Sequence, residues 1–181
     1  MKVVIIAVLL MLSAICSATE TAFSSCNRIR LKKLADDGNK SAKKAMNICD
    51  NFDKALTAIL VGNNVVNISS SSIATVLFTE KFGKGSVGLA TVVMTVLVLI
   101  FGEILPKSLA KENSERFSIL MAAPLSAFMF IITPITAIFM GIKSGVSKLV
   151  GNKNSEPSVT EEELKYLSLI HISEPTRPRL I

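Results

Sequence analysis

The sequence predicts an all-α membrane protein, with three transmembrane helices plus a juxtamembrane helical belt or re-entrant hairpin, on three observations. Half of the 181 residues are apolar, and the mean hydropathy is +0.51. The charged residues are gathered into blocks, leaving uncharged stretches at 3–19, 55–79, 85–102 and 117–142. About 20 apolar residues cross a bilayer as a helix, so the second and third stretches, with their flanks, read as spans.

Taken in order, residues 3–24 form the first span. A start of Met1-Lys2 before an apolar run also fits a secretory leader, but Ser13, Ser17, Glu20 and Ser24 recur on one helical face and carry the pattern past any cleavage site. The connection 27–54 carries eight basic and four acidic residues, which places it in the cytoplasm. Its apolar residues lie among lysines as an amphipathic helix broken at Asp37-Gly38-Asn39, expected along the inner headgroups. The second span, 55–79, then runs outward and the third, 85–106, inward. The N-terminus and the Lys81/Lys84 loop face out, and Lys107, Lys111 and Arg116 face the cytoplasm. Residues 114–148 are flanked by lysines at both ends and interrupted by Pro124 and Pro134, so they read as a juxtamembrane hairpin with a cytoplasmic C-terminus. A fourth full span, with the C-terminus outside, is the competing reading.

The chemistry concentrates in two places. In Phe101-Gly102-Glu103-Ile104-Leu105-Pro106-Lys107 a carboxylate stands at the end of an apolar run. An ionisable group inside a span is costly and marks an ion or substrate path, unless Glu103 simply ends the helix at the water boundary. In the second span Asn64, Asn67 and Ser71 share a face, and their uncharged oxygens suit a hard cation whose charge Glu103 would balance. Asparagine and serine also serve as glue between packed helices. Ser13 and Ser17, Asn67 and Ser71, and Gly102 with Glu103 could converge on one oxygen cage, in which Gly102 loosens the backbone and frees its carbonyl. Oxygen-only ligation points to magnesium, calcium or sodium. Cys16, Cys26 and Cys49 show no disulfide or metal spacing, and no nucleophile–base pair is present, so an enzyme is not expected. The basic balance lacks aromatic interleaving and does not indicate nucleic-acid binding.

These residues resemble the transmembrane domain of the CorC and cyclin M type magnesium transporters, also labelled hemolysin-like. The matching motifs are the Leu12 to Ala22 segment, Asn27-Arg28-Ile29-Arg30-Leu31-Lys32-Lys33-Leu34, Gly62-Asn63-Asn64-Val65-Val66-Asn67, the Phe101 to Ala110 segment and Pro157-Ser158-Val159-Thr160-Glu161-Glu162-Glu163-Leu164. The resemblance implies a lipid-embedded homodimer in the inner or plasma membrane that exports Mg2+, with Na+ as the coupling ion. It also implies a dehydrated site drawn from Ser17, Asn67, Ser71, the Gly102 carbonyl and Glu103, with Ser13, Ser70, Asn64, Pro106 and Lys107 nearby. A magnesium sensor acting on a separate transporter would use the same ligands.

Two departures stand out. Ala18 occupies a position where the family usually has glycine. The family continues from an acidic cytosolic helix, here 156–167 after a membrane domain at 1–155, into paired CBS domains that bind adenine nucleotide. This chain instead carries, over 168–181, a segment that reads like a translated sequencing adapter and is expected to be non-native.

Overall fold

The computed structural model describes residues 1–149, without the side chains of 135–140 and 143–149. The expectations for 156–167 and 168–181 therefore lie outside the described residues. The chain divides into two compact units, Met1–Ile138 and Phe139–Ile181, and the helix bundle belongs to the first. The helices are α1 (Lys2–Ser25), α2 (Arg28–Asp36), α3 (Lys40–Asp50), α4 (Phe52–Phe82), α5 (Val87–Leu97), a π-helical segment (Val98–Ile104), α6 (Leu105–Glu112) and α7 (Ser114–Leu149). No strand occurs among the described residues. Three helical stretches, Lys2–Ser25, Lys84–Glu112 and Ser114–Pro134, are long and apolar enough to cross a membrane.

Helix α1 is the organising element. Lys2 pairs with Glu80 at one end of α4, and Ser13 bonds Asn63 midway, so α1 and α4 run antiparallel. Against the third rod, the continuous run of α5, the π-helical segment and α6 (Val87–Glu112), α1 runs parallel: Ile6 clusters with Met94, Ser13 touches Gly102, and Glu20 pairs with Lys107. Each of these offsets is 87 to 89 residues, a constant register along the contact (94 − 6, 102 − 13, 107 − 20). The interface is made of small residues, with Ser13, Ser17, Ala18 and Ala22 on α1 and Ala110 on α6 all buried. Small side chains let helix backbones approach closely, which is how helices associate where lipid removes the hydrophobic drive. Large apolar residues such as Val4, Met11, Ile68, Val92 and Phe130 point outward, as a lipid-facing surface requires.

Helix α4 has 31 residues, about 46 Å at 1.5 Å per residue, so it is long enough to span. Its asparagines and serines keep it out of the set of strongly apolar helices. The structure explains the discrepancy: Ser70 is buried and Asn63 and Asn67 are half-buried toward α1, so much of this polarity is hidden from lipid.

Helices α2 and α3 behave locally as their sequence suggests. Asn27 Oδ1 accepts from the Ile29 and Arg30 amides, and Asn39 Oδ1 accepts from Ser41 and Ala42, so each asparagine caps a helix start. Between them Gly38 takes φ +92°, which only glycine adopts without strain. Their apolar face is not spread over headgroups. Leu31, Ala45, Ile48 and Cys49 are buried with Phe23, Ala55, Ile59, Ala122 and Leu125, closing one end of the bundle, while the lysines point away.

The expected break at Pro124 and Pro134 is absent, because α7 is one continuous helix with both prolines inside it. Packing holds it: Ala122 and Leu125 enter the core, and the Phe128 ring lies so close to Gly62 that a Cβ there would come within 2.7 Å of the ring tip. A proline removes one helix hydrogen bond, and neighbouring helices make that tolerable in a membrane setting. We predict that Gly62→Leu overpacks the α4–α7 contact and destabilises the protein by about 1–3 kcal/mol, with partial recovery in the Gly62→Leu/Phe128→Ala double variant. Thermal unfolding in detergent micelles measures both.

Candidate cation site

At the centre of the α1–α4–third-rod contact, the Ser13 hydroxyl donates to Asn63 Oδ1 at 2.9 Å. A Cβ on Gly102 would meet Ser13 Oγ at 2.9 Å, so residue 102 has no room for a side chain. Ser13 is fully buried and Gly102 is buried. Three helices therefore bring Ser13, Asn63 and Gly102 together, with Glu103 half-buried beside Gly102.

The third rod is wound as a π-helix at this level, over Val98–Ile104, and the Leu105 amide bonds the Ile100 carbonyl five residues back. π-turns of this kind are rare inside α-helices and are found frequently at functional sites. Pro106 contributes as well. In α-helical winding the carbonyl of Gly102 would receive the N–H of residue 106, and proline has none. Pro106 therefore denies that carbonyl its ordinary α-helical donor.

Two polar atoms flank the central contact. Ser17 Oγ and Asn67 Oδ1 are buried without a hydrogen-bond partner. An orphaned buried polar group costs about 1–3 kcal/mol, so two at one interface call for a reason. Because α1 and α4 are antiparallel, Ser17 lies one turn toward the α2–α3 end and Asn67 one turn toward the other, each about 6 Å from the Ser13–Asn63 level. The result is a polar column through the bundle, with the central contact between them. Ser70 is fully buried and spends its hydroxyl on the Asn67 carbonyl at 2.9 Å. Ser71 is half-buried, and its carbonyl accepts from Thr75.

Of the residues singled out from sequence, Ser13 and Gly102 sit in direct contact, Glu103 adjoins them, and Ser17 and Asn67 flank them. Asn64 is exposed on the outer face of α4. The sequence reading missed Asn63, which follows Gly62 and lies four residues before Asn67. The spacing 63, 67, 70, 74 leads along the face that buries Ser70 and Ala74 against α1, and burial of the small residues would have identified it. Lys107 is bound to Glu20 at 3.6 Å, one turn beyond Glu103 and Ser17. Among the described residues no three histidine, cysteine or acidic side chains group together. The donor set is thus one carboxylate with hydroxyl, amide and carbonyl oxygens.

A family model for the cyclin M transmembrane N-terminal domain matches residues 4–176. The chain belongs to this family. It is 35% identical over 166 residues to a UPF0053 protein of Haemophilus influenzae, covering 91% of this chain and 40% of that one. It is 31% identical over 165 residues to the UPF0053 inner membrane protein YfjD of Escherichia coli, covering 90% and 38%. A chloroplastic DUF21 domain-containing protein of Arabidopsis thaliana shares 35% identity over 164 residues, covering 90% and 25%. The chain thus spans between a quarter and two fifths of the length of these relatives. As a cyclin M type membrane domain it is a multi-pass membrane protein, with Ser13, Ser17, Thr19 and Ser70 turned inward.

The close approach at Gly102 makes a test of the site's geometry. In this cyclin M type domain, Gly102→Ala is expected to push Ser13 Oγ away from Asn63, so Ser13→Ala costs less in that background than alone. The coupling should be about 1 kcal/mol in a double-mutant cycle read by unfolding in micelles.

Proposed function

We propose that this domain carries Mg2+ across the membrane through the column at Ser17, Ser13, Asn63, Gly102, Glu103 and Asn67. The observation that supports this reading best is the pair of orphaned buried oxygens, Ser17 Oγ and Asn67 Oδ1, on either side of a π-helical turn bearing the one carboxylate of the contact. Magnesium is a hard cation that gives up water reluctantly, so a site that strips it must offer several fixed oxygens and a negative charge. Here Glu103 supplies the charge, the Gly102 carbonyl a strong dipole, and Ser13 and Asn63 the oxygens at that level, while Ser17 and Asn67, one turn to either side, are successive stations along the path rather than ligands of the same ion. Ser71, one turn from Asn67, belongs to the outer part of the path.

The direction is export, with sodium as the counter-ion, in a homodimer whose basic loop 27–54 faces the cytoplasm and whose N-terminus faces out. The structure's sorting of its polar ends suits this arrangement. Lys2 and Glu80 share one end of the bundle, while α2, α3, Lys107 and Arg30 paired with Glu115 share the other. The domain acts as a carrier and performs no covalent chemistry. Adenine nucleotide would act only through CBS domains beyond this segment.

Stability and binding should part company at the orphaned atoms. A serine that glues helices loses stability when truncated, whereas an unpaired one waiting for a ligand does not. We expect Ser17→Ala to leave unfolding in Mg2+-free micelles unchanged or shifted upward by about 1 kcal/mol, while weakening Mg2+ binding about tenfold by calorimetry. In proteoliposomes loaded with a fluorescent magnesium indicator, Glu103→Ala should abolish sodium-dependent flux at equal protein incorporation. Flux equal to that of the unsubstituted chain would rule the carrier reading out.

A further inference from the structure

We propose that Cys26 and Cys49 form a redox-active dithiol site that closes reversibly to a disulfide by exchange with a low-molecular-weight disulfide. The two residues are 23 positions apart, separated by α2, yet their sulfurs lie 3.6 Å apart. A disulfide is about 2.05 Å long, so roughly 1.6 Å of closure is needed, within reach of side-chain rotation and a small backbone shift. Cys26 follows the last residue of α1 in extended backbone, outside the helix hydrogen-bond ladder, which leaves it free to make that shift.

The surroundings differentiate the two thiols. Cys26 is half-buried, the Cys49 thiol on α3 lies within hydrogen-bond reach of its sulfur, and Arg28 adds its positive charge. Together they outweigh desolvation and bring its pKa down from an ordinary 9.0 to about 7. Cys49 is 2% exposed, and its pKa is driven upward, first by donating to Cys26, then by burial, with Asp50 adding to the effect and Arg28 opposing it. Arg28 is held in place because Nη2 donates to the Cys49 carbonyl at 3.1 Å. The half-buried thiol is therefore the readier to ionise and the buried one the readier to keep its proton. Cys16 lies elsewhere, on the wall of an apolar cavity of about 440 Å3 between α1, α4 and α7.

The exchange balances without any further reagent. The Cys26 thiolate attacks one sulfur of a small disulfide, forms a mixed disulfide and expels one thiolate. That thiolate takes the Cys49 proton. The resulting Cys49 thiolate attacks the Cys26 sulfur and expels the second small thiolate, which water protonates. Two protein thiols are oxidised and one small disulfide is reduced to two thiols. Cys49 is the resolving residue, since it is already in line beside Cys26. The site is at the α2–α3 end, the one assigned to the cytoplasm in the carrier reading, where a dithiol is the resting form and a disulfide reports a change in thiol poise. Closure would tie the end of α1, the helix that carries Ser13 and Ser17, to α3. The chemistry itself stands whether or not the domain carries magnesium.

The test uses the full chain in detergent micelles, treated with oxidised glutathione at pH 7, quenched with an alkylating agent and mapped by mass spectrometry. The expected product is a Cys26–Cys49 bond with loss of two hydrogens, reversed by dithiothreitol, with Cys16 still free. Cys49→Ala should stop at a glutathione adduct on Cys26 and form it about fivefold more slowly, because the donor that lowers the thiol's pKa is gone. In the unsubstituted chain, iodoacetamide labelling of Cys26 should be half-maximal near pH 7. A stable glutathione adduct on Cys26 in the unsubstituted chain, a bond to Cys16, or a labelling midpoint at the ordinary 9.0 would overturn the proposal.

Discussion

The rest of the structure depends on the close contact of α1 with its two neighbours at Ser13. Lipid offers no hydrogen bonds, so a membrane domain must satisfy or hide its polar groups inside the bundle. Here Ser13 meets Asn63 and leaves no space at Gly102. The constant register along α1 then follows: once the three helices are locked at this level, alanines face alanines further along, and the ion pairs meet at the ends. Replacing the small residues with ordinary apolar ones would separate the helices and expose α4's asparagines to hydrocarbon.

That same contact sets the electrostatics. A straight α-helix without proline would return the carbonyls of the third rod to its own ladder. The π-helical winding and the proline one turn later disturb the ladder at Gly102, next to the single carboxylate of the contact. Helix distortion, a missing side chain and a charge coincide at one height in the bundle. Each alone has an ordinary structural explanation, but their coincidence beside two unpaired buried oxygens does not.

Much of this was legible in the sequence because it rests on local rules. Charge blocks marked the helices, Asp37-Gly38-Asn39 marked the α2–α3 break, and Gly102-Glu103 with Pro106 marked the loosened backbone. What was not legible depends on rotation and register between helices. Asn64 and Asn63 are equally polar, and only the α1 contact decides that Asn63 turns inward. The prolines of α7 looked like breaks because their cost is local, whereas the packing of Phe128 on Gly62 that offsets it lies across the bundle. The Cys26–Cys49 approach was invisible for the same reason, since no spacing rule describes two residues joined through an intervening helix.

The distribution of strength along α1 also bears on how such a domain could move. Its centre is packed without free volume at Ser13 and Gly102, while its ends are held by Lys2–Glu80 and Glu20–Lys107, whose side chains keep a quarter to over half of their exposure. Partly exposed pairs of this kind contribute little, about 1 kcal/mol or less each. Sliding α1 along its partners would break the central contact and the register together. Rocking it about Ser13 would break only one weak ion pair at a time and leave the centre in place. Opening the Glu20–Lys107 end would uncover Ser17, and opening the Lys2–Glu80 end would uncover the Asn67 side, so the two orphaned oxygens would each gain access to a different face of the membrane. A pivot at the closest contact, with weak latches at either end, is the motion this packing favours.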